Sequence, residues 1–317
     1  MMRTALLALL LLCATRTSAQ SSNEIFLADP TIVSADGNYY LTGTEDTGRL
    51  KGFPIYRSRD LKSWTLLPPI LTAGAQSWGT RGFWAPQLVH HNGRWLLFYT
   101  ANEQVVMAAS PTITGPFTQD SVRPIDASEK NIDPFLFVDD DGRAYLYHVR
   151  FDHGNYIWCG QFDLEHGRLI PGTLRRCFAA TQPWEHTRAF PSDPILEGPT
   201  VIKRDGKYYL FYSANHFLSP DYAVGYAVAD SPMGPWTKNP DNPILHSSQL
   251  GEHGSGHGDI FLGPHHRFYY VYHVHHSDST AVPRRTRIIA LDVQRGKDGT
   301  ISFSADKRRR IVPHIGK

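Results

Sequence analysis

Three acidic residues stand where apolar runs begin, a place where a carboxylate would lose much of its solvation. Asp29 and Asp133 come directly before a proline, and Glu197 comes before Gly198 and Pro199. Each would therefore sit where a strand enters a core. Taken singly, Asp-Pro is typical of a turn. The three share one phase of a sequence repeat, however, with Glu197 one residue earlier than the two aspartates, and independent turns have no cause to do so.

Carboxyl groups that converge in a poorly solvated pocket can carry out acid–base chemistry. Mutual repulsion and the loss of solvation raise the pKa of at least one of them. A protonated carboxyl can then protonate a leaving oxygen while an ionised one activates water, which is the pairing that glycoside hydrolysis needs. A third acidic group can tune and hold the acid, and an aromatic residue such as Trp84 offers an apolar face to a sugar ring.

The element that would position these residues is a recurring hairpin. Four segments begin with Xaa-Pro, run through a few apolar residues to a polar turn ending in glycine, and continue as an aromatic-rich strand. They are "DPTIVSADGNYYLTGT" (29–44), "APQLVHHNGRWLLFYT" (85–100), "DPFLFVDDDGRAYLYHV" (133–149) and "GPTVIKRDGKYYLFYSA" (198–214). Asn-Gly and Asp-Gly favour tight hairpin turns. A fifth copy, residues 257–274, lacks the Xaa-Pro but keeps the rest of the pattern.

Each unit continues with a third short strand and a turn-rich segment, which makes about four strands per unit. Such units, repeated radially, form a β-propeller. The sequence therefore predicts an all-β, five-bladed β-propeller with four-stranded blades around a central channel. A sandwich would not repeat one hairpin five times. Because innermost strands line the channel, Asp29, Trp84, Asp133, Glu197 and His257 are expected to face one pocket.

The same segments resemble the motifs of glycoside hydrolase family 43, one in each blade. They are "FLADPTIV", "GFWAPQL", "NIDPFLFVDDDGRAYLY", "ILEGPTVIKRDGKYYLFYS" and "GSGHGDIF". The resemblance covers the chain after its first twenty residues and implies an inverting, five-bladed enzyme. It implies that Asp29 is the general base, Glu197 the general acid and Asp133 the residue that tunes and orients the acid. Trp84 would lie near the sugar.

The resemblance implies two further site residues. His257 would help to hold one calcium ion, or another cation, in the channel through water, and no organic cofactor is expected. A structural, channel-filling role is the alternative for His257. The segment "RRTRIIAL" resembles a strand whose leading arginine contacts sugar hydroxyls. Arg284 matches best, and Arg285 or Arg287 would take the role if the register slips.

The leading functional hypothesis is an exo-acting α-L-arabinofuranosidase that releases pentose from plant-type polysaccharide. The alternatives are a β-xylosidase, endo-arabinanase or exo-galactanase of the same family, or a non-catalytic carbohydrate-binding propeller. A non-catalytic propeller would be expected to have lost one of the three carboxylates. We expect no β-sandwich after the propeller, whereas β-xylosidases resembling this family often carry one, and this favours an arabinofuranosidase-type enzyme. The insert "TQPWEHTRAFPSDP" (181–194) would wall the pocket, which favours exo action.

The first residues predict export. A basic start (Met1–Arg3), an apolar run (Ala5–Ala14) and the small residues Thr17-Ser18-Ala19 are typical of a signal peptide over residues 1–19. Residues 20–317 would then form one catalytic domain, secreted or periplasmic. No later segment reaches the roughly 18 apolar residues of a membrane span.

Charge and cysteine content add little to this interpretation. The net charge is +2, and the basic residues Lys307–Arg310 lack interleaved aromatics, so no nucleic-acid partner is expected. We expect a monomer that acts on a polysaccharide or oligosaccharide. Cys159 and Cys177 flank a predicted hairpin, and either a disulfide or two separate thiols agrees with their spacing.

Overall fold

The computed structural model describes residues 23–188, 193–297 and 299–316. The predicted signal peptide (1–19) and part of the insert (189–192) lie outside the described residues. Five sheets make up the fold, and the first strand of each packs against the first strands of its two neighbours in a closed circle. The predicted all-β, five-bladed propeller around a central channel is confirmed.

The strands follow one another outward from the channel in each blade. Blade 1 contains β1 (Ala28–Ala35), β2 (Asn38–Thr44), β3 (Gly52–Ser58) and β4 (Ser63–Thr72). Blade 2 contains β5 (Trp84–His91), β6 (Arg94–Ala101) and β7 (Gln104–Ser110). Blade 3 contains β8 (Asn131–Val138), β9 (Ala144–Phe151), β10 (Asn155–Asp163), β11 (Arg168–Leu169) and β12 (Arg175–Arg176). Blade 4 contains β13 (Leu196–Arg204), β14 (Lys207–Ala214), β15 (Ala223–Ala229) and β16 (Thr237–Lys238). Blade 5 contains β17 (Gly256–Leu262), β18 (Phe268–Val274), β19 (Arg285–Arg295) and β20 (Ile301–Ile311).

The last strand, β21 (His314–Ile315), returns to blade 1 and pairs in parallel with β4. The helical elements are short: α1 (Ser247–Leu250) and 3₁₀ turns at Pro183–Glu185 and Pro264–His266. No helix within the described ranges is long and apolar enough to cross a membrane.

The number of strands varies between blades, from three to five, instead of being four throughout. In blade 2 the expected outer strand is reduced to a single bridge between Ala109 and Thr118. Beyond this bridge, the Met107 carbonyl accepts from the Gln119 side-chain Nε2 at 3.0 Å and not from a backbone N–H, so the ladder ends there. In blade 3, β11 and β12 both pair with β10.

The apolar core lies between the blades as five separate clusters, one at each blade interface. Alternate residues of a strand serve opposite interfaces. On β6, for example, Leu97 and Tyr99 pack toward blade 1, whereas Leu96 and Phe98 pack toward blade 3. Burial on both faces therefore explains why the second strand of each hairpin is rich in aromatic and aliphatic residues.

Cys159 and Cys177 are free thiols, the first fully buried and the second half-buried. The Cys177 N–H donates to the Ile157 carbonyl, which places β12 beside β10. Of the two alternatives that the sequence left open, the structure shows separate thiols.

Candidate active site

Each inner strand enters the channel through the same local distortion. In every blade the pairing between the first and second strands shifts register near the start of the inner strand. The residue at the shift has a positive φ: 45° at Asp29, 45° at Ala85, 56° at Asp133, 59° at Gly198 and 40° at His257. We call these five residues the channel positions. A bulge re-aims a side chain, and strain of this kind collects at functional sites.

Neighbouring blades hold the channel positions through their main-chain N–H groups. At four of the five, the N–H donates to a side chain near the end of the second strand of the preceding blade. The pairs are Asp29 to His273 Nδ1 (3.1 Å), Ala85 to Thr44 Oγ1 (2.9 Å), Asp133 to Thr100 Oγ1 (3.0 Å) and His257 to Ser213 Oγ (2.8 Å). These bonds satisfy buried donors and tie each blade to the next.

The fifth channel position, Gly198, breaks this rule. The equivalent residue of blade 3 is Val149, which pairs with Ile132 as Thr44 pairs with Ala28. Valine has no acceptor, and the Gly198 N–H donates instead to Asp133 Oδ2 at 3.1 Å. The carboxylate of Asp133 is thereby attached to the peptide that follows Glu197.

Asp29 lies in a cationic environment. Its Oδ1 lies 3.1 Å from Arg284 Nη1 and 3.2 Å from His257 Nδ1, and its Oδ2 accepts from Thr44 Oγ1 at 2.6 Å. Burial by itself raises the pKa of Asp29, but the charge of Arg284, followed by the contact with His257, outweighs burial. The pKa of Asp29 is held well below its usual range, so this carboxyl stays ionised.

His273 serves Asp29 as a neutral ring. Burial, followed by the charge of Arg284, lowers the pKa of His273 to about 3. Its Nδ1 accepts the Asp29 N–H, so the proton of the neutral ring lies on Nε2. The 3.4 Å approach of Nδ1 to Asp29 Oδ1 is therefore not an ion pair.

Of the three candidate arginines, Arg284 is the one placed at the carboxylates. It is 7 % exposed and contacts Asp29, as described above. The other two arginines point away from the carboxylates and pair with Glu252. Its Oε1 lies 3.4 Å from Arg285 Nη2 and 2.8 Å from Arg287 Nη2. The expected register, with Arg284 leading, is therefore the one that the fold adopts.

Asp46 and Phe217 fix the guanidinium of Arg284. Its Nε donates to Asp46 Oδ2 at 2.7 Å and its Nη2 to Asp46 Oδ1 at 3.0 Å. The Phe217 ring lies 4.8 Å from the guanidinium carbon. A bidentate carboxylate and a stacked ring hold the planar group in one orientation.

Glu197 lies in the opposite electrostatic environment from Asp29. It is 9 % exposed, its Oε1 accepts from the Tyr222 hydroxyl at 2.7 Å, and its Oε2 lies 3.5 Å from Asn155 Nδ2. Burial raises the pKa of Glu197 to about 7, the Tyr222 hydrogen bond opposing this and the charge of Asp29 adding to it. Near neutral pH this carboxyl still holds a proton for part of the time.

Asp133 contacts the chain directly beside Glu197. It is 5 % exposed and accepts the Gly198 N–H. Burial, followed by the charges of Glu197 and Asp29, raises the pKa of Asp133 well above its usual range. The predicted convergence of Asp29, Asp133 and Glu197 is thus present in the structure.

Trp84 lies at the rim of the site, one residue before its channel position, as Glu197 does in blade 4. Its side chain is 38 % exposed, and its indole lies over Gly82, where an added Cβ would come within 3.1 Å of the ring. An open indole face at this place suits a sugar ring.

His257 lies inside the channel between carboxylates. Its Nδ1 lies 3.2 Å from Asp29 Oδ1 and 3.9 Å from Asp133 Oδ2, and its ring lies against Gly198. Beside it is a cavity of about 30 Å³ that Asp259 also lines, enough for one or two waters or one ion.

A metal ion would have few protein ligands here. In the part of the chain that the structure describes, no group of three or more His, Cys, Asp and Glu side chains is placed to hold a metal ion. The donors agree with a cation held mainly through water and not with one enclosed by side chains. Calcium at His257 stays a prediction.

Several residues of the site were not identified from sequence. Thr44, Thr100 and Ser213 do share a column of the hairpin alignment, with Val149 in the same column, so a signal existed. His273 is the member of this column in blade 5. No comparable signal marks three other side chains that contact Glu197 or Arg284: Asp46, Asn155 and Tyr222.

Comparison with known proteins identifies the family. The profile described as "Glycosyl hydrolases family 43" matches residues 23–301. The chain belongs to glycoside hydrolase family 43. Its relatives in this family differ in the activities that their names carry.

A solved structure named as an endo-1,4-beta-xylanase from Bacteroides thetaiotaomicron superposes with a TM-score of 0.85 at 38% sequence identity, covering 94% of this chain and 99% of the other. The beta-D-galactofuranosidase xynD of Aspergillus niger is 25% identical over 89% of this chain and 84% of its own length. The xylosidase/arabinosidase 43B of Humicola insolens is 29% identical over 78% of this chain. The chain spans about half of that last protein, 47% of its length.

Proposed function

We propose that this family 43 glycoside hydrolase is an exported, inverting, exo-acting enzyme that releases α-L-arabinofuranosyl residues from plant-type polysaccharide. The observation that carries the catalytic assignment is the opposite perturbation of two buried carboxyls. The pKa of Asp29 is held well below its usual range, whereas that of Glu197 is raised to about 7. Carboxyls whose environments push their pKa values apart are the expected base and acid.

The proposed reaction uses each carboxyl once. Glu197 gives its proton to the glycosidic oxygen as the bond between that oxygen and the anomeric carbon breaks. Asp29 takes a proton from a water molecule whose oxygen bonds to the anomeric carbon from the opposite face, which inverts its configuration. Asp133 holds the acid through the Gly198 N–H. Proton exchange with solvent then restores Asp29 and Glu197.

Arg284 and Trp84 are proposed to bind the sugar. Asp29 and Asp46 occupy three of the five N–H groups of Arg284, which leaves two for hydroxyl oxygens. The fixed plane of the guanidinium would then select the positions of those hydroxyls. The exposed face of Trp84 would cover the apolar side of the ring.

Exo action is supported by the way the insert is held. Glu185 is fully buried, accepts from the Tyr212 hydroxyl at 2.6 Å and forms an ion pair with Lys238. Asn215 accepts the Thr187 N–H at 2.9 Å. Residues 181–188 are therefore fastened to blade 4, and a fastened insert suits a pocket that is closed at one end.

The choice of arabinofuranose is the finer part of the proposal. A relative whose name joins xylosidase and arabinosidase supports a pentose, and the same name makes β-xylosidase the second candidate. Export is supported by the signal-peptide pattern of residues 1–19. A calcium ion held through water at His257 belongs to the proposal as a structural ion. After chelation, added calcium should then raise the melting temperature of the wild type and not that of His257→Ala.

The test is a panel of aryl α-L-arabinofuranoside, β-xyloside and galactoside, with arabinan, xylan and arabinogalactan. We expect release of arabinose as a monomer, and proton NMR should show the inverted anomer first. Release of xylose alone would favour the second candidate. A retained anomer would contradict the assigned roles, and no hydrolysis of any member would overturn the proposal.

A further inference from the structure

The two oxygens of the Glu197 carboxyl have different surroundings. Oε1 accepts a hydrogen bond from the Tyr222 hydroxyl at 2.7 Å. Oε2 lies 3.5 Å from Asn155 Nδ2, at the outer limit of a hydrogen bond. One oxygen is therefore firmly occupied by a donor and the other is nearly free.

Tyr222 is fixed from several sides. Its side chain is fully buried and stacks on His273 with the ring centroids 5.6 Å apart and the planes at 14°. Gly256 packs against one edge of the ring: a Cβ added there would come within 2.3 Å of Tyr222 Cδ1 and Cε1. The Tyr222 N–H donates to the Ser219 carbonyl at 3.1 Å. The hydroxyl therefore has little freedom to leave Glu197.

Tyr222 keeps its proton throughout the working range of the enzyme. Burial, followed by the charges of Glu197 and Asp29, raises its pKa well above the usual value. The phenol is therefore always a donor, and Oε1 must always accept. In a protonated carboxyl, the oxygen that accepts in this way is the carbonyl oxygen, and the other oxygen carries the proton.

We propose that Tyr222 is a positioning residue for the proton donor: by occupying Oε1 of Glu197, it places the transferable proton on Oε2. This inference rests on the proposed role of Glu197 as general acid. Tyr222 touches neither the sugar nor the leaving oxygen, and it acts through Glu197. Its substitution should change how well, and at which pH, the acid works.

The direction of the pH effect follows from the hydrogen bond. A donor to the ionised carboxylate favours that form, so loss of the hydroxyl raises the pKa of Glu197. Of the charged groups that face Glu197, Asp29 raises its pKa and Arg284 lowers it, and the buried carboxyl of Asp133 is attached to the adjoining peptide. All of these remain in Tyr222→Phe. Because the acid works when protonated, the alkaline limb of the pH–rate profile, where activity falls as pH rises, should move to higher pH.

The experiment compares Tyr222→Phe with wild type on one substrate with a poor leaving group and one activated aryl glycoside. We expect kcat on the poor leaving group to fall about 10- to 100-fold with KM little changed, and kcat on the activated substrate to fall much less. The alkaline limb should rise by about one pH unit. The matched control is Tyr226→Phe, which also removes a buried hydroxyl, one that accepts from the Phe303 N–H at 3.3 Å away from the carboxyls.

Equal losses on both substrates together with an unmoved alkaline limb would overturn the inference. If the wild type hydrolyses neither substrate, the proposed function fails instead, so the two failures are distinguishable. Should Tyr222→Phe not fold, 3-fluorotyrosine introduced at position 222 keeps the hydroxyl and makes it a stronger donor. That protein should show an alkaline limb at lower pH, and an unmoved limb would again overturn the inference.

Discussion

At the scale of single residues, a substitution at Glu197 can separate the effect on bond cleavage from the effect on substrate binding. Glutamine keeps the shape of the side chain and can accept from Tyr222, but it has no proton of the right acidity to give. We expect Glu197→Gln to lower kcat/KM on natural glycosides about 10²- to 10⁴-fold, because general acid catalysis contributes on this scale. Aryl glycosides with good leaving groups should keep most of their rate. Parallel kinetics on the two substrate types measure the difference.

A suitable control is Asp141→Asn, which makes the same change from carboxyl to amide in the exposed hairpin turn of blade 3. It should behave as wild type on both substrates. If Glu197→Gln is equally inactive on natural and activated glycosides, Glu197 is not the proton donor.

The raised pKa of Glu197 also predicts the pH dependence. The proton must be present for the acid to work, and burial raises the pKa of this carboxyl to about 7. Activity on poor leaving groups should therefore fall above about pH 7, approaching tenfold per pH unit. A pH–rate profile measures this limb, which should be weak on activated aryl glycosides. A profile that stays flat to pH 9 on the natural substrate would contradict the assignment.

At the scale of the strand, Val149 explains why Asp133 accepts the N–H of Gly198, the residue after the proposed acid. In blades 1, 2 and 4 a hydroxyl at this position accepts the N–H of the next channel position. Val149→Thr would supply the missing hydroxyl at almost constant volume. We expect it to compete with Asp133 for the Gly198 N–H and to lower kcat about fivefold, since one such hydrogen bond is worth about 1 kcal/mol.

Val201→Thr is the matched control, because Val201 is a buried strand residue of the same apolar cluster. Both variants bury an extra hydroxyl and should lose similar stability in urea denaturation. Val149→Thr alone should lose kcat. Equal kcat in the two variants would mean that the Asp133 contact with Gly198 does not matter for catalysis.

The hairpins were predictable because local chemistry specifies them. Turn glycines such as Gly37 and Gly93 do adopt positive φ, and the strands on either side are β1–β2 and β5–β6. The carboxylates were found because repetition placed them at one phase. Tyr222 and Asp46 were not, because they come from loops whose approach to the channel depends on closure of the whole circle. The bridge that replaces the fourth strand of blade 2 was not predicted, because the contact of the Gln119 side-chain amide with the Met107 carbonyl depends on how the loop folds back.

At the scale of the molecule, catalysis depends on blades that are distant in sequence. Asp29 belongs to blade 1, Asp133 to blade 3 and Glu197 to blade 4, while His257 and His273 contact Asp29 from blade 5. The geometry around Asp29 therefore depends on the interface between the last blade and the first. At that interface Thr286 both donates to and accepts from the backbone of Leu27, and Arg287 pairs with Glu24 at 3.0 Å.

The strand β21 reinforces blade 1 from its outer edge and can be tested without touching the channel. The His314 N–H donates to the Lys62 carbonyl at 2.9 Å, and the Gly316 N–H donates to the Trp64 carbonyl at 2.8 Å. His314→Pro removes the first donor and should lower the free energy of unfolding by about 1–3 kcal/mol in urea denaturation. His314→Ala keeps the N–H and, because the side chain is exposed, should stay within about 0.5 kcal/mol of wild type. Two strands, β2 and β3, lie between the β4–β21 pair and Asp29 on β1, so kcat well below the melting temperature should be unchanged in both variants. Equal stability of the proline and alanine variants would show that the hydrogen bond from β21 to Lys62 does not stabilise the fold.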